Sequence, residues 1–504
     1  MRSNNHTYHH LNPWFLAFCT VLLFVVGCSE KQQPQPDFWA AESAILDRDG
    51  TDGYSGDYIL IYNPMSNSDK KSIGSTDEIE KGAEPFRSAN PVIDLPVDAS
   101  LYAEADPFVT DSLHASQKNS DWTVGDQKIF KIREMPSGEM AFQVVSVGEH
   151  CCVWSPLNSA YGPLESINAS FPALLASVID EALPQLEEYY GVSGEIIHVL
   201  CHDLNSPTEY GRTSFWDLYN QCYTGNNSES IAGNDLPIIH INTAPLLVTN
   251  GDNILSLRDA AVHELTHLML CEKLFPEGYL EGFITNGDHQ NFYIDNIESV
   301  ELLGELLAMA AQETVYPGSA LEQFLPCWYA NGAVWADLPE NDLDHYLRNG
   351  GSVLQNGGTL WRGVANREDQ AALLLLAHFV QNRCGLEIFP NILAAWQKMG
   401  CTGDPVQAIW EAAGYSDSQT FFEEFLLSAI LHDNDFADGK YRLEAFDGYE
   451  GDDPLSSLRP IVTETQLSVK PGGYIIIRPS DGTYFPPETA GQGLVYIGIR
   501  PNKP

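Results

Sequence analysis

Short β-type runs separated by turn residues dominate the chain up to about residue 155, and a helical spacing of apolar residues then takes over. The runs are "YILIYNP" from 58, "KIFKIREM" from 128, "AFQVVSVG" from 141 and "CCVWSP" from 151. They predict a small antiparallel, sandwich-like unit over 57–155. In "FPALLASVIDEALPQLEEYYG" (171–191) the apolar residues recur three and four apart, the period of a helix with one buried face. Two strand-like runs follow, "EIIHVLCH" (195–202) and "LPIIHINT" (236–243). Helical spacing returns in "DAAVHELTHLML" (259–270), in "NIESVELLGELLAMAAQET" (296–314), and over 368–380, 386–399, 404–414 and 418–432. The acidic, Gly-rich "HDNDFADGKYRLEAFDGYEGDDP" (432–454) breaks the pattern, and the tail after it is β-type with Gly and Pro turns. No repeat at solenoid periods is present. The pattern therefore predicts an α+β protein whose mixed body is flanked by small all-β domains.

The first residues follow another logic. "FLAFCTVLLFVVGC" (15–28) is too short to cross a bilayer, which takes about 20 apolar residues. It suits the apolar region of a secretory signal. The ending Val25-Val26-Gly27-Cys28 resembles the bacterial lipobox, which implies cleavage before Cys28 and a lipid on that cysteine. Ser29 in the next position implies an outer-membrane destination in a Gram-negative cell. "SEKQQPQPDF" (29–38) is polar and Pro-rich, as a tether is. The expected division is then a signal peptide at 1–27, a lipidated cysteine and tether at 28–56, the β unit at 57–155, the α+β body at 156–433, an acidic linker at 434–456 and a C-terminal β domain at 457–504.

Composition narrows the function. A length of 504 residues implies roughly two to four domains. With 26 Lys and Arg against 69 Asp and Glu, the formal charge of -43 argues against nucleic-acid binding, which needs cations to meet phosphates. Beyond the leader the cysteines are Cys151, Cys152, Cys201, Cys222, Cys271, Cys327, Cys384 and Cys401. Export permits disulfides, and proximity suggests Cys201 with Cys222 and Cys384 with Cys401. No CxxC pair is present, which disfavours a cysteine-bound structural zinc. "DRDGTDGYSGD" (47–57) has the look of a calcium loop but lacks the downstream glutamate, so an acidic turn is expected there.

The candidate chemistry lies in "HELTH". On a helix His263 and His267, four apart, share a face and can present two imidazoles to one zinc ion. Glu264, about 100° further round, falls beside the ion's open position as general base and acid. Zinc lowers the pKa of a bound water toward about 7, which makes it a nucleophile at neutral pH. The competing account, two histidines held by core hydrogen bonds, fits a lone histidine better than a pair bracketing a glutamate.

A hydrolytic zinc needs a third protein ligand, and the HExxHxxGxxH extension is absent because Leu270 and Lys273 occupy its positions. A carboxylate on a later helix remains. Glu281, in "GYLEGF", is one candidate, although its return from His267 is short. Glu305 is the other, on a helix whose Leu302, Leu303, Leu306, Leu307 and Ala310 form an apolar face, with Glu298 and Glu301 on its polar stripe. Tyr316, Tyr329 and Tyr346 are possible donors to an oxyanion. Asp259, one turn before His263, is either a ligand-orienting group or a charge at the helix N-terminus.

Residues 140–432 resemble the hyicolysin-type zinc metallopeptidases, a branch of the gluzincins, on "VGEHCCVWSP", "ALPQLEEYYG", "IAGND", "AAVHELTHLML", "LGELLAMAAQETVYPG" and "QAALLLLAHFVQNRCG". In that family a Leu-Asn-Glu segment opening a Met/Ala-rich helix supplies the third ligand. Leu303-Gly304-Glu305 falls at the matching place, with Gly304 where the family has Asn and a longer interval from His267. The resemblance implies a zincin-like catalytic domain with one catalytic Zn²⁺ on His263, His267 and Glu305, and Glu264 as the catalytic base. It implies a lipid-anchored endopeptidase of the cell envelope acting on protein or peptide substrates. The alternative from another class is a surface binding or adhesion lipoprotein with an inactive zincin-like core, and a lesser one is a hydrolase of other acyl groups.

Overall fold

The computed structural model describes residues 43–56, 58–64, 71–73, 122–132, 138–157, 170–191, 195–204, 210–219, 221–223, 230–244, 254–276, 290–319, 367–431, 467–469, 474–477, 481–486 and 494–502, with positions 279, 441, 443 and 479. In chain order the strands before the first helix are β1 (Ser43–Asp47), β2 (Tyr54–Ser55), β3 (Tyr58–Tyr62), β4 (Lys71–Ile73), β5 (Gln127–Lys131), β6 (Glu139–Val147) and β7 (Cys151–Pro156). Helix α1 (Phe171–Tyr190) leads to β8 (Ile197–His202), β9 (Gly211–Thr213), β10 (Gln221–Tyr223), β11 (Ser230–Ala232) and β12 (Ile238–Asn242). Six helices follow: α2 (Ile254–Leu270), α3 (Gln290–Val315), α4 (Arg367–Cys384), α5 (Ile388–Lys398), α6 (Pro405–Ala412) and α7 (Ser418–Leu431). The chain ends in β13 (Leu467–Val469), β14 (Tyr474–Ile477), β15 (Thr483–Tyr484) and β16 (Val495–Asn502). The protein is thus mixed α+β with several sheets. Among the described residues no helix is long and apolar enough to cross a membrane. The leader and Cys28 lie outside the described residues.

A six-stranded sheet, ordered β5-β6-β7-β8-β12-β9, organises the body. β5, β6 and β7 are antiparallel neighbours; β7, β8 and β12 run parallel; β9 returns antiparallel at the edge. Parallel pairing of β7 with β8 needs a long crossover, and the span between them contains α1. Every residue of β7, β8 and β12 is buried, as expected of strands covered on both faces. One face meets helices: Val199, Ile239 and Ile241 join the large core with Leu175, Ile179 and Leu186 of α1 and Ala261 and Leu265 of α2. The other face closes over a smaller aromatic core of Phe130, Phe142, Trp154, Leu200 and Ile238. Helix α2 is wedged between the sheet edge on one side and α3 on the other.

Strand pairing groups the chain differently from the expected domains. β1 and β3 pair with β16, and β14 adds to β3, giving a four-stranded sheet of order β1-β16-β3-β14 built from both ends of the chain. The expected boundary at 155–156 cuts β7, and β5 to β7 belong to the sheet of the body rather than to a separate sandwich. The tether drawn over 28–56 includes β1, in register with β16 from Ser43 opposite Asn502 to Asp47 opposite Gly498. In the expected linker, Tyr441 and Leu443 are buried. The physical reason is common to the three strand regroupings: apolar alternation marks a strand but not its partner, and a half-buried edge pairs with whatever edge the fold brings to it.

The calcium-like stretch is an acidic turn, with both oxygens of Asp47 occupied by backbone N–H groups of Asp49 at 3.1 Å and Ser55 at 2.7 Å. Cys384 and Cys401 carry free thiols, so the suggested bond between them is absent, and the side chain of Cys222 lies outside the described residues.

Candidate metal centre

The motif residues are inside the protein because α2 is buried on every face from Asp259 to Leu270. Leu257, Ala260, Ala261, Val262, Leu265 and Leu268 are buried, and the helix packs against the sheet, α1 and α3 together. His263 and His267 point to α3, where Glu305 points back. The two Nε2 atoms lie 2.9 Å apart, and each is 3.2 Å from one oxygen of the Glu305 carboxylate. All three side chains are about 2% exposed. Each offers one ligand atom, and these atoms lie within 4.8 Å of one another, an arrangement found nowhere else among the described residues.

The chemistry of this donor set fits a divalent cation. His263 directs Nδ1 to the amide oxygen of Gln312 at 3.2 Å, so Nδ1 carries the proton and Nε2 turns a lone pair to the centre. Two imine nitrogens and a carboxylate thus converge in a buried space. Such donor atoms repel unless a cation, either a metal ion or a proton on an imidazole, lies between them, and burial strengthens that repulsion. Ligand atoms around a tetrahedral zinc, at about 2.0–2.1 Å from the metal, stand roughly 3.3 Å from one another, close to the spacing here. In the metal-free chain, burial pushes the Glu305 carboxyl up, but the two imidazoles reverse this and hold it well below the usual carboxylate range. Burial likewise lowers the His263 imidazole, and the Glu305 charge outweighs it, raising the group to about 9.

Glu264 is the next residue round α2, close enough to feel the charges of His263, His267 and Glu305. It faces the edge strand β9, where Gly211 lies under its side chain and the Thr213 hydroxyl donates to its backbone carbonyl at 2.8 Å. Its Oε2 is buried without a hydrogen-bond partner. Burial raises this carboxyl, against the lowering effect of His267 and His263. A buried carboxylate with a free oxygen beside a cluster that could hold a cation is placed to exchange a proton with a bound molecule.

Of the expected residues, His263, Glu264, His267 and Glu305 come together. Glu301, one turn before Glu305, is only partly buried and outside the cluster. Glu281, the side chain of Glu298, Tyr329 and Tyr346 lie outside the described residues. Tyr316 is committed elsewhere: its hydroxyl donates to Glu181 at 3.3 Å and its ring lies under the Arg258 guanidinium, 4.0 Å from the ring centre. Asp259 neither orients a zinc ligand nor caps the helix start. It binds Arg258 at 2.6 Å and the Ser319 hydroxyl, which fastens α2 to the turn after α3.

Sequence reading missed Gln312, Gly211 and Thr213. It also missed a buried polar chain on the far face of the sheet. There the Nδ1 of His202 meets the Asp203 carbonyl at 3.2 Å, its Nε2 meets the Nδ1 of His240 at 2.9 Å, and the Nε2 of His240 meets Asp217 at 2.9 Å. The only sequence trace of this chain was a histidine in each of two apolar strands.

No family model matches the chain, and no curated protein matches it.

Proposed function

We propose that the chain is a zinc-dependent endopeptidase with a zincin-like core formed by α2, α3 and the edge of the six-stranded sheet. The convergence of His263, His267 and Glu305, with the free buried oxygen of Glu264 alongside, carries this reading. His263, His267 and Glu305 would hold the ion. Zinc at such a site supplies Lewis acidity, polarising a carbonyl and making water a competent nucleophile near neutral pH. Glu264 takes the proton of the attacking water on Oε2 and delivers it to the departing amine nitrogen. Its raised affinity for protons suits both halves of that exchange. Gly211 and Thr213 fix where that carboxylate sits. Export and anchoring through Cys28 form part of the proposal and rest on the lipobox resemblance.

The test is Glu264→Gln in the zinc-loaded protein. Hydrolysis of casein or a peptide library is expected to fall by about 10²–10⁴-fold, with zinc content unchanged. Undiminished hydrolysis by the variant overturns the assignment of Glu264. A wild-type protein that binds zinc but cleaves nothing returns the chain to the binding-lipoprotein alternative.

A further inference from the structure

We propose that Gln312 is a positioning residue that sets the ring tautomer of His263 and thereby the strength of metal binding. The inference rests on the reading of His263, His267 and Glu305 as zinc ligands. Gln312 lies on α3 two turns beyond Glu305, so both residues project from one face of the same helix toward α2. It is buried, and its Oε1 stands 3.2 Å from the Nδ1 of His263.

A neutral imidazole has one N–H. The Nε2 of His263 faces Glu305 and the other ring, so that nitrogen must be bare to bind a cation and the proton belongs on Nδ1. With its amide oxygen, which can only accept, turned to the ring, Gln312 favours the required tautomer. It also stops the ring from turning about its χ2 axis. The two histidines differ in this respect. The Nδ1 of His267 is buried with no hydrogen-bond partner, so only its Nε2 side has polar contacts. Asp259, one turn before His263 on α2, is occupied by Arg258 and Ser319. Helix α3 therefore brings both a ligand and the orienter of a second ligand, and a shift of α3 along α2 disturbs both at once.

Zinc affinity, measured on the full chain by competition with a chromophoric chelator, tests this in Gln312→Met and Gln312→Glu. Methionine keeps the bulk and removes the acceptor; glutamate keeps an oxygen at the same reach. Gln312→Met is expected to bind zinc about 10–100-fold more weakly, and Gln312→Glu to restore binding. Thermal melting of the metal-free variants shows whether α3 still packs on α2. Equal affinity in wild type and Gln312→Met, or equal loss in both variants with unchanged melting, overturns the proposal and leaves the zinc site standing. A wild-type chain that takes up no zinc overturns the proposed function itself, and this inference with it.

Discussion

Glu264 sits in the tightest place of the site: a Cβ on Gly211 would stand 2.6 Å from its Cγ and 3.1 Å from its Oε1. Either the carboxylate moves or the edge strand does. Gly211→Ala is therefore expected to cost about 1–3 kcal/mol through overpacking. On the proposed function, a displacement of about 1 Å in the reacting group corresponds to roughly 10²-fold in rate, so turnover should fall by that order while zinc affinity stays near wild type. Stopped-time peptide assays together with chelator competition check both halves, and full turnover in Gly211→Ala would show that β9 does not set the position of Glu264. At this scale the sequence announces only what is local. His263, Glu264 and His267 are legible because a four-residue spacing on one helix determines their geometry. Glu305 needed the apolar face of its helix and the family resemblance, since nothing local ties it to α2. Gln312, Gly211 and Thr213 had no signal at all, because each acts through a partner about 50 residues away that only packing brings near.

The helices were the most legible elements. The runs expected at 171–191, 386–399, 404–414 and 418–432 match α1, α5, α6 and α7 to within about two residues, the usual uncertainty of a helix end. Amphipathic spacing is intrinsic to a helix, whereas a three-residue edge strand such as β9 exists only because β12 is there to pair with it. The strands also hide their polar cargo. His198 and His202 in β8, and His378 in α4, are buried, and burial lowers all three: His198 to about 3, His378 to about 4 and His202 well below the usual range. His198 is neutral by geometry as well, since its Nδ1 accepts the indole N–H of Trp154 at 3.0 Å. In the unfolded chain each titrates near 6.5. As pH falls below about 6.5 the unfolded state takes up protons that the folded state refuses, so folding stability is full above that pH and declines toward the folded values near 3–4. Each histidine contributes up to about 1.4 kcal/mol per pH unit to the decline. Urea midpoints measured from pH 7.5 to 5 should fall. His198→Asn keeps an acceptor for Trp154 and removes one titrating site, so it should reduce proton uptake on unfolding by about one. An unchanged slope would place the acid sensitivity elsewhere.

Both ends of the molecule fold into one sheet, and this is the level at which the sequence misled. Two β-rich ends separated by a helical body read naturally as two small domains, because alternation specifies a face and never a partner. The actual closure puts β3 between β16 and β14, with Ile59, Leu60, Ile61 and Tyr62 fully buried. Leu60, Tyr62, Ile497 and Ile499 belong to the same core as the helices. A polar clamp fixes the sheet to α7: Arg48 donates to Glu423 at 2.9 Å and to Tyr441 at 3.3 Å, and the Tyr62 hydroxyl donates to the other oxygen of Glu423 at 2.9 Å. The Tyr62 ring also meets Phe422, 6.0 Å between centres. If 457–504 were an independent module, a chain ended before Leu467 would lose that module and keep the rest intact. The pairing dictates another result. Truncation strips β3 of both neighbours and uncovers side chains that are each worth about 1.5–3 kcal/mol of burial, several times over within a total stability of about 5–15 kcal/mol. The truncated chain is therefore expected to lose its cooperative urea transition or to unfold at a far lower midpoint, with zinc binding lost alongside, since α3 and the terminal sheet draw on the same core. A truncated protein with the midpoint and zinc affinity of the full chain would mean that the terminal sheet contributes nothing to the body, and that β1 and β3 find no support from β14 and β16.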